Sequence, residues 1–272
     1  MHINNILNFY EEVKDDLKSQ STSSVRIKIM ISLSEGPKKT KDLKELTGMQ
    51  SSTILHGINE LEKQDLVSRE GDKFFLTEIG KIMVLKLIDM VKTSISLKKF
   101  QKLWLNHEID NIPLDLLMDI GNLSNSQLIT SDNIDVFKIH ENFVNILLQS
   151  KEIKGVSPIF HGDYIDLFKN LAENNVKIEL ILTKDILNAT ISSLGEENLK
   201  EILNTDNFTI WQLDDEIKIA FTITDKFLSL GLFLKKGTYD SSRDLISDNH
   251  DAIAWGNKLF NHYRQQADKF EL

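Results

Sequence analysis

Gln50-Ser51-Ser52-Thr53-Ile54-Leu55-His56-Gly57-Ile58-Asn59-Glu60-Leu61-Glu62 is the stretch on which the reading of this chain turns. Ile54, Ile58 and Leu61 recur at i, i+4 and i+7 with Leu55 beside them, the apolar stripe of a helix laid on a small core. The other face carries Gln50, Ser52, Thr53, His56, Gly57 and Asn59. Gln50 or Ser51 can cap the helix start, because a short polar side chain accepts the backbone N–H groups left open there. Gly57 costs about 1 kcal/mol in a helix interior, so a close approach is expected at it, either to a DNA backbone or to another helix.

Working outward, Val25 to Leu33 reads as an amphipathic helix that stops at Gly36-Pro37, and Thr40 to Thr47 as a short helix closed by Gly48. Downstream, Leu66 to Glu70, a Gly71-Asp72 turn and Lys73 to Leu76 read as a hairpin. Helix, helix, recognition helix and β-wing over Ser24 to Phe75 is how many regulators enter the major groove of DNA. Short polar side chains near the start of such a helix reach base edges, and Gln pairs bidentately with adenine. The candidate base-reading residues are therefore Gln50, Ser52, Thr53 and His56, with Ser51 a further DNA-binding candidate at the helix start. Lys39, Lys41, Arg69 and Lys73 are the candidates for phosphate. The plainer alternative is a small helical subdomain whose polar face is only solvated.

Composition bounds the rest. At 272 residues the chain is one large or two ordinary domains, and 41% hydrophobic with 27% charged residues is enough apolar material for a core. No run of 18 apolar residues suggests a membrane span, and Met1-His2-Ile3-Asn4-Asn5 lacks the features of a signal peptide. Zero cysteines exclude disulfides and thiolate metal sites and fit a cytoplasmic protein. The net charge of −9 argues against a nucleic-acid partner, but residues 22–78 hold nine basic and nine acidic residues and are neutral. Non-specific DNA affinity should be weak, since it scales with the phosphates neutralised; specific binding then leans on dimerisation and base contacts.

Thr77 to Trp104 reads as one long helix with more apolar surface than a linker needs, either a dimer helix or a helix packed on its own second domain. The organisation expected is a winged domain over 1–80, a helical linker or dimerisation region over 81–124, and an α/β domain over 125–272. In the last, Ile153–Phe160, Tyr164–Leu171 and Val176–Leu182 read as strand, helix and parallel strand. Phe208–Leu213, Ile217–Thr224 and Phe227–Leu234 read as a meander, and Asp251–Phe270 as a closing helix. Leu228, Leu230 and Leu232 share a face, opposite Ser229 and Gly231, whose small side chains leave room for a ligand cavity or for a packed helix.

His161-Gly162-Asp163 follows a strand and opens a helix, where α/β sheets place ligands. Asp163 can simply cap that helix, and His161 is a candidate effector contact. Thr183-Lys184-Asp185, past the carboxyl end of the central strand, faces the same crevice or caps the next helix. The candidate effector-binding residues are His161, Thr183, Ser229 and Gly231. No phosphate-binding loop, dinucleotide fingerprint or nucleophile elbow is present. A phospholipase-D-type site needs Lys two positions after the His, and position 163 is Asp. The seven histidines are scattered, so no metal, no cofactor and no catalysis are expected.

Several of these stretches carry a family likeness. Ser24–Phe75, Trp104-Leu105-Asn106-His107-Glu108 before Ile112-Pro113, Gly121-Asn122-Leu123, Lys154-Gly155-Val156-Ser157-Pro158-Ile159 and Ala254-Trp255-Gly256 together resemble the archaeal winged-helix transcriptional regulators of methanogens that carry the filamentation-regulator middle domain. The resemblance implies a DNA-binding regulator with a C-terminal sensor or dimerisation domain. That domain is also similar to the noncatalytic, phospholipase-D-like effector domains of archaeal sugar-responsive regulators. The expectation is an α/β protein, a homodimeric transcription factor on double-stranded DNA, with a small-molecule effector and no membrane. A second domain that only dimerises, or an enzyme on a phosphorylated or sugar-like metabolite, remain as alternatives.

Overall fold

The chain divides into two units, Met1–Val91 and Lys92–Leu272, with the division inside a continuous helix. A computed structural model describes residues 3–131, 138–159 and 162–272. The first unit opens with α1 (Ile3–Thr22) and α2 (Ser24–Leu33), the latter capped by Ser23, whose hydroxyl accepts from the Arg26 N–H at 3.4 Å. A two-residue strand β1 (Lys38–Lys39) leads into α3 (Thr40–Thr47). Gly48 ends α3 at φ +70°, a conformation that glycine adopts without strain. Next come α4 (Ser51–Glu62) and the wing strands β2 (Val67–Glu70) and β3 (Lys73–Leu76). β1 adds to the outer edge of β3, so the wing is three-stranded, an element the hairpin pattern did not announce.

Ile29, Met30 and Leu33 of α2 bury against Leu43, Ile54, Ile58, Leu61 and Phe74 to make the core of this unit. Each such side chain contributes about 1.5–3 kcal/mol on removal from water. Two assignments on α4 change. Leu55 is exposed, since it lies beside the buried stripe rather than in it, and Gly57 is buried. Gln50 occupies the cap position of α4 but makes no side-chain cap bond. α1 was not legible as a structural element: none of its residues is buried, and Ile3, Leu7, Phe9 and Tyr10 are more than half or about half exposed.

α5 (Glu78–Lys99) carries the chain into the second unit, and the single long helix expected to Trp104 breaks at Phe100 before α6 (Gln101–Asn106). The packing division at Val91/Lys92 falls between the boundaries expected at 80 and 124. Phe100, Leu103, Ile112, Leu116, Ile120 and Leu123 share one core with Trp255, Leu259 and Phe260, so residues 92–124 are a wall of the second unit. α7 (Leu114–Met118) is tied into it by the Trp255 indole N–H, which donates to the Leu116 carbonyl at 2.9 Å.

The second unit is built on an eight-stranded mixed sheet. Its elements follow as β4 (Gln127–Thr130), α8 (Lys138–Leu148), β5 (Glu152–Ser157), α9 (Asp163–Glu173), β6 (Lys177–Thr183), α10 (Lys184–Leu194), α11 (Glu196–Leu203), β7 (Phe208–Leu213), β8 (Ile219–Thr224), β9 (Leu228–Leu232), β10 (Arg243–Ser247), α12 (His250–Arg264) and β11 (Asp268–Lys269). The strand order is β11-β7-β6-β5-β8-β9-β10-β4. β5, β6 and β7 are mutually parallel, as the strand-helix-strand spacing requires, and the remaining pairings are antiparallel. The expected meander is therefore wrong at its first step. β7 pairs with β6, whereas β8 returns on the far side of β5. The connection is anchored at its end, where the Lys218 N–H donates to Asn111 Oδ1 at 3.1 Å.

Period-two alternation sorts the sheet faces. Val156, Ile219, Phe221, Ile223, Leu228 and Leu230 pack under α12. Gly256 lets α12 close on the sheet, since a Cβ there would lie 2.8 Å from Leu228 Cδ1. The closing helix ends at Arg264, earlier than its apolar pattern suggested, because residues 268–269 turn into the edge strand β11.

Candidate nucleic-acid interface and chamber

On α4 the buried stripe decides what the other face can do. Ile54, Gly57, Ile58 and Leu61 lie against the core, and a Cβ at Gly57 would sit 2.7 Å from Ile29 Cδ1 and 2.8 Å from Val25 Cγ1. The close approach expected at Gly57 is thus to helix α2. With that face fixed, Gln50, Ser51, Ser52, Thr53 and His56 are all exposed at the first turns of α4. They form a row of short donors and acceptors on a rigid helix, of the dimensions that a major groove admits.

The four basic candidates divide. Lys39 Nζ lies 2.7 Å from Asp72 Oδ2, which joins the start of α3 to the wing turn. That hydrogen bond, more than simple charge attraction, raises the Lys39 pKa and lowers that of Asp72. Arg69 Nε donates to the Gly71 carbonyl at 3.1 Å and its guanidinium lies 5.2 Å from the Phe74 ring centroid. Both are held by the wing, so binding a phosphate would exchange an existing contact. Lys41, 3.9 Å from Glu45, and Lys73 are exposed.

In the second unit, the sheet face away from α12 is lined by small side chains where β5, β8 and β9 meet: Gly155, Ala220, Thr222, Ser229 and Gly231. Removing bulk there leaves a chamber of about 420 Å³, within the range of small-molecule sites. Helices α8 and α9 supply an aromatic wall. His140 and Tyr164 stack at 5.3 Å, Phe143 packs on Tyr164 at 5.1 Å, and Phe168 completes the row. On the strand side, Ser229 Oγ donates to Asp244 Oδ2 at 2.7 Å. Asp244 Oδ1 has no hydrogen-bond partner among the described residues. Burial pushes this carboxyl up to about 6, against the opposing hydrogen bonds from Ser229 and from the backbone at Leu230 and Leu245. Burial likewise raises the Tyr239 phenol, whose oxygen covers Gly231.

Of the four effector candidates, Ser229 and Gly231 lie on the chamber wall. Thr183 does not: it ends β6 and stands at the cap of α10, while its neighbours Leu182 and Ile186 face the chamber. His161 lies outside the described residues. Asp244, His140, Phe143 and Tyr239 were missed. A signal for Asp244 existed, a lone acid one place out of step with Leu245 in an extended run. The aromatic wall had none, because its rings come from helices read only as packing. Near the same sheet edge, burial would raise the Asp240 carboxyl, but hydrogen bonds from Ser242, Arg243 and His107 outweigh it and hold the group at about 2. His107 Nε2 meets it at 3.0 Å. Among the described residues no group of three or more His, Asp or Glu side chains could hold a metal ion, and no helix is long and apolar enough to cross a membrane.

Against this geometry, two models of one family match the chain. The N-terminal domain of the methanogenesis regulatory protein FilR1 matches residues 14–95, and its middle domain residues 136–266. Methanogenesis regulatory protein FilR1 of Methanothrix harundinacea (strain 6Ac) is 27% identical over 259 residues, covering 94% of this chain and 58% of the relative. The chain thus spans little more than half the length of that protein. Among solved structures, the archaeal chromatin protein TrmBL2 aligns over 94% of this chain and 98% of its own at 16% identity and a TM-score of 0.44. Adhesin competence repressor AdcR of Streptococcus pyogenes aligns over 36% of this chain and 81% of its own, at 18% identity and a TM-score of 0.28.

Proposed function

The chain belongs to the family of the methanogenesis regulatory protein FilR1, whose N-terminal and middle domains it carries, and we propose that it is a DNA-binding transcriptional regulator. The observation that carries this reading is the exposed row Gln50, Ser51, Ser52, Thr53 and His56 on a helix fixed by a core and followed by a wing. Gln50, Ser52, Thr53 and His56 read base edges, with Ser51 at the phosphate end of the helix where backbone N–H groups are open. Lys41 and Lys73 hold phosphates, and Lys39 and Arg69 join them by giving up Asp72 and the Gly71 carbonyl. The neutral charge of residues 22–78 makes base contacts and a second half-site necessary for tight binding.

The protein acts as a homodimer. Ile3, Leu7 and Tyr10 on α1 and Ile79, Ile82 and Leu85 on α5 leave apolar surface exposed on the first unit, and a second copy of the chain is its occupant. The second unit, a noncatalytic domain of phospholipase-D-like type, binds a small effector in the chamber bounded by Ser229 and Gly231. The effector shifts DNA affinity only insofar as it binds two dimer geometries unequally. Gel shifts with the DNA upstream of the protein's own gene test the regulator. Discrete, salt-sensitive complexes are expected; weak retention blind to sequence would sink the reading.

A further inference from the structure

The chamber in the second unit combines an apolar, aromatic lining with one acid set deep in its strand wall. Asp244 is 4% exposed. Ser229 donates to Oδ2, the backbone N–H groups of Leu230 and Leu245 offset the cost of burial only in part, and no group among the described residues reaches Oδ1 with hydrogen-bond geometry. A buried carboxylate oxygen left without a donor is costly, and a protein built only for stability would place an apolar residue or a second donor there. Phe143, Tyr164, Phe168 and Tyr239 line the same space, and ring faces attract cations when water is excluded.

We infer that this chamber takes a small organic amine, protonated in solution, whose N–H groups meet Asp244 Oδ1 and whose apolar body lies among the aromatic rings. The inference rests on the effector-binding reading above and gives that effector a charge. A neutral hydroxyl would supply one donor to the same oxygen, but a charge-assisted bond to a carboxylate is roughly twice as strong as a neutral one. Only a cation also offsets the negative charge that ligand binding would otherwise seal away from water. At neutral pH the carboxyl, raised to about 6, is still mostly ionised, so the charge is present to be paired. Among the described residues, the other groups facing the chamber that can titrate are His140 on α8, Tyr164 and Lys169 on α9, and Tyr239 beside β10.

Calorimetry on the full chain at pH 7.5 with phenethylamine, its neutral isostere 2-phenylethanol and the anion 3-phenylpropionate tests this. Phenethylamine should bind at least tenfold more tightly than the alcohol, with no binding of the acid. Asp244→Asn should abolish the preference, so that amine and alcohol bind alike. Thermal unfolding of Asp244→Asn at pH 7.5 should show one cooperative transition with a midpoint no lower than the parent's, which guards against a folding artefact. Equal binding of the alcohol, an amine preference that survives Asp244→Asn, or no binding of any probe overturns the inference. Gel shifts on the same preparation separate the two claims. Discrete DNA complexes without amine binding leave the regulator standing and remove the amine site; amine binding without DNA complexes does the reverse.

Discussion

Ser229 and Asp244 meet across β9 and β10, the hydroxyl donating to Oδ2 at 2.7 Å while Oδ1 is buried without a hydrogen-bond partner among the described residues, and both residues line the chamber. The pair makes the acid both a site and a liability. Burial lifts its carboxyl from the usual 3.8 to about 6, so the folded protein holds this proton more tightly than the unfolded chain. The contribution of the group is therefore most favourable below about pH 4 and is lost as pH rises through about 6. The span corresponds to on the order of 3 kcal/mol. Asp244→Asn should match the parent near pH 4 and gain on it above pH 6 in thermal unfolding. A difference in midpoint that does not change between pH 4 and 7.5 would show that the acid is not strained by burial.

Gly80 sets the entry of α5 against the wing. A Cβ there would lie 1.9 Å from the Leu66 carbonyl oxygen, which already accepts the Thr77 N–H at 3.1 Å. Backbone cannot yield as a side-chain tip can. Gly80→Ala should destabilise the protein by about 3 kcal/mol, the upper end for overpacking. At Gly57 the obstacles are the side-chain ends of Ile29 and Val25, and a gain of roughly 1 kcal/mol in helix propensity opposes the clash. Gly57→Ala should therefore be much milder. Chemical denaturation of both variants checks the ranking, and equal losses would contradict it.

The winged block was legible because its apolar spacing, its glycine stops and its turn are all local in sequence. The β5–α9–β6 crossover was legible for the same reason. What could not be read was pairing at a distance. Nothing in Phe208–Leu213 says that it lies beside β6 while Ile219–Thr224 returns beside β5. Nor does Lys39 announce an ion pair with Asp72, thirty-three residues on. Ser229 and Gly231 gave away room on one sheet face, since alternation fixes which side a small residue vacates. The acid that gives the chamber its chemistry sits on β10, whose register against β9 brings it to Ser229 across an irregular connection that local patterning does not fix.

Exposed apolar side chains on α1 and α5 lead to a test of assembly. α1 buries none of its residues and is tied to its unit near its end, where Arg26 Nε donates to the Ser19 carbonyl at 3.1 Å and Gln64 Nε2 to the Ser19 hydroxyl at 2.6 Å; helical segments with little packing are only marginally stable in water. The full chain should sediment as a dimer at micromolar concentration. Replacing Leu7 and Ile82 together with Glu should shift it to monomer and weaken DNA binding while leaving the second unit folded. A parent protein that sediments as a monomer would remove the second copy as the occupant of this surface.

The polar row on α4 and the basic residues around it should fail in different ways when substituted. A side chain on a base edge discriminates among sequences, whereas one on phosphate adds affinity to all of them. Gln50→Ala or Thr53→Ala should cost about 1–3 kcal/mol on the cognate site, relax the preference at one position, and leave the salt dependence unchanged. Lys73→Ala should weaken cognate and non-cognate DNA alike and lower the slope of log K against log salt by about 1. Lys39→Ala should do less, because its ammonium must first leave Asp72 at 2.7 Å, and Asp72→Asn should then strengthen binding by releasing it. Binding isotherms across a salt series on cognate and scrambled duplexes read all five variants. If Gln50→Ala lost affinity uniformly and Lys73→Ala altered sequence preference, the orientation of α4 in the groove proposed here would be wrong.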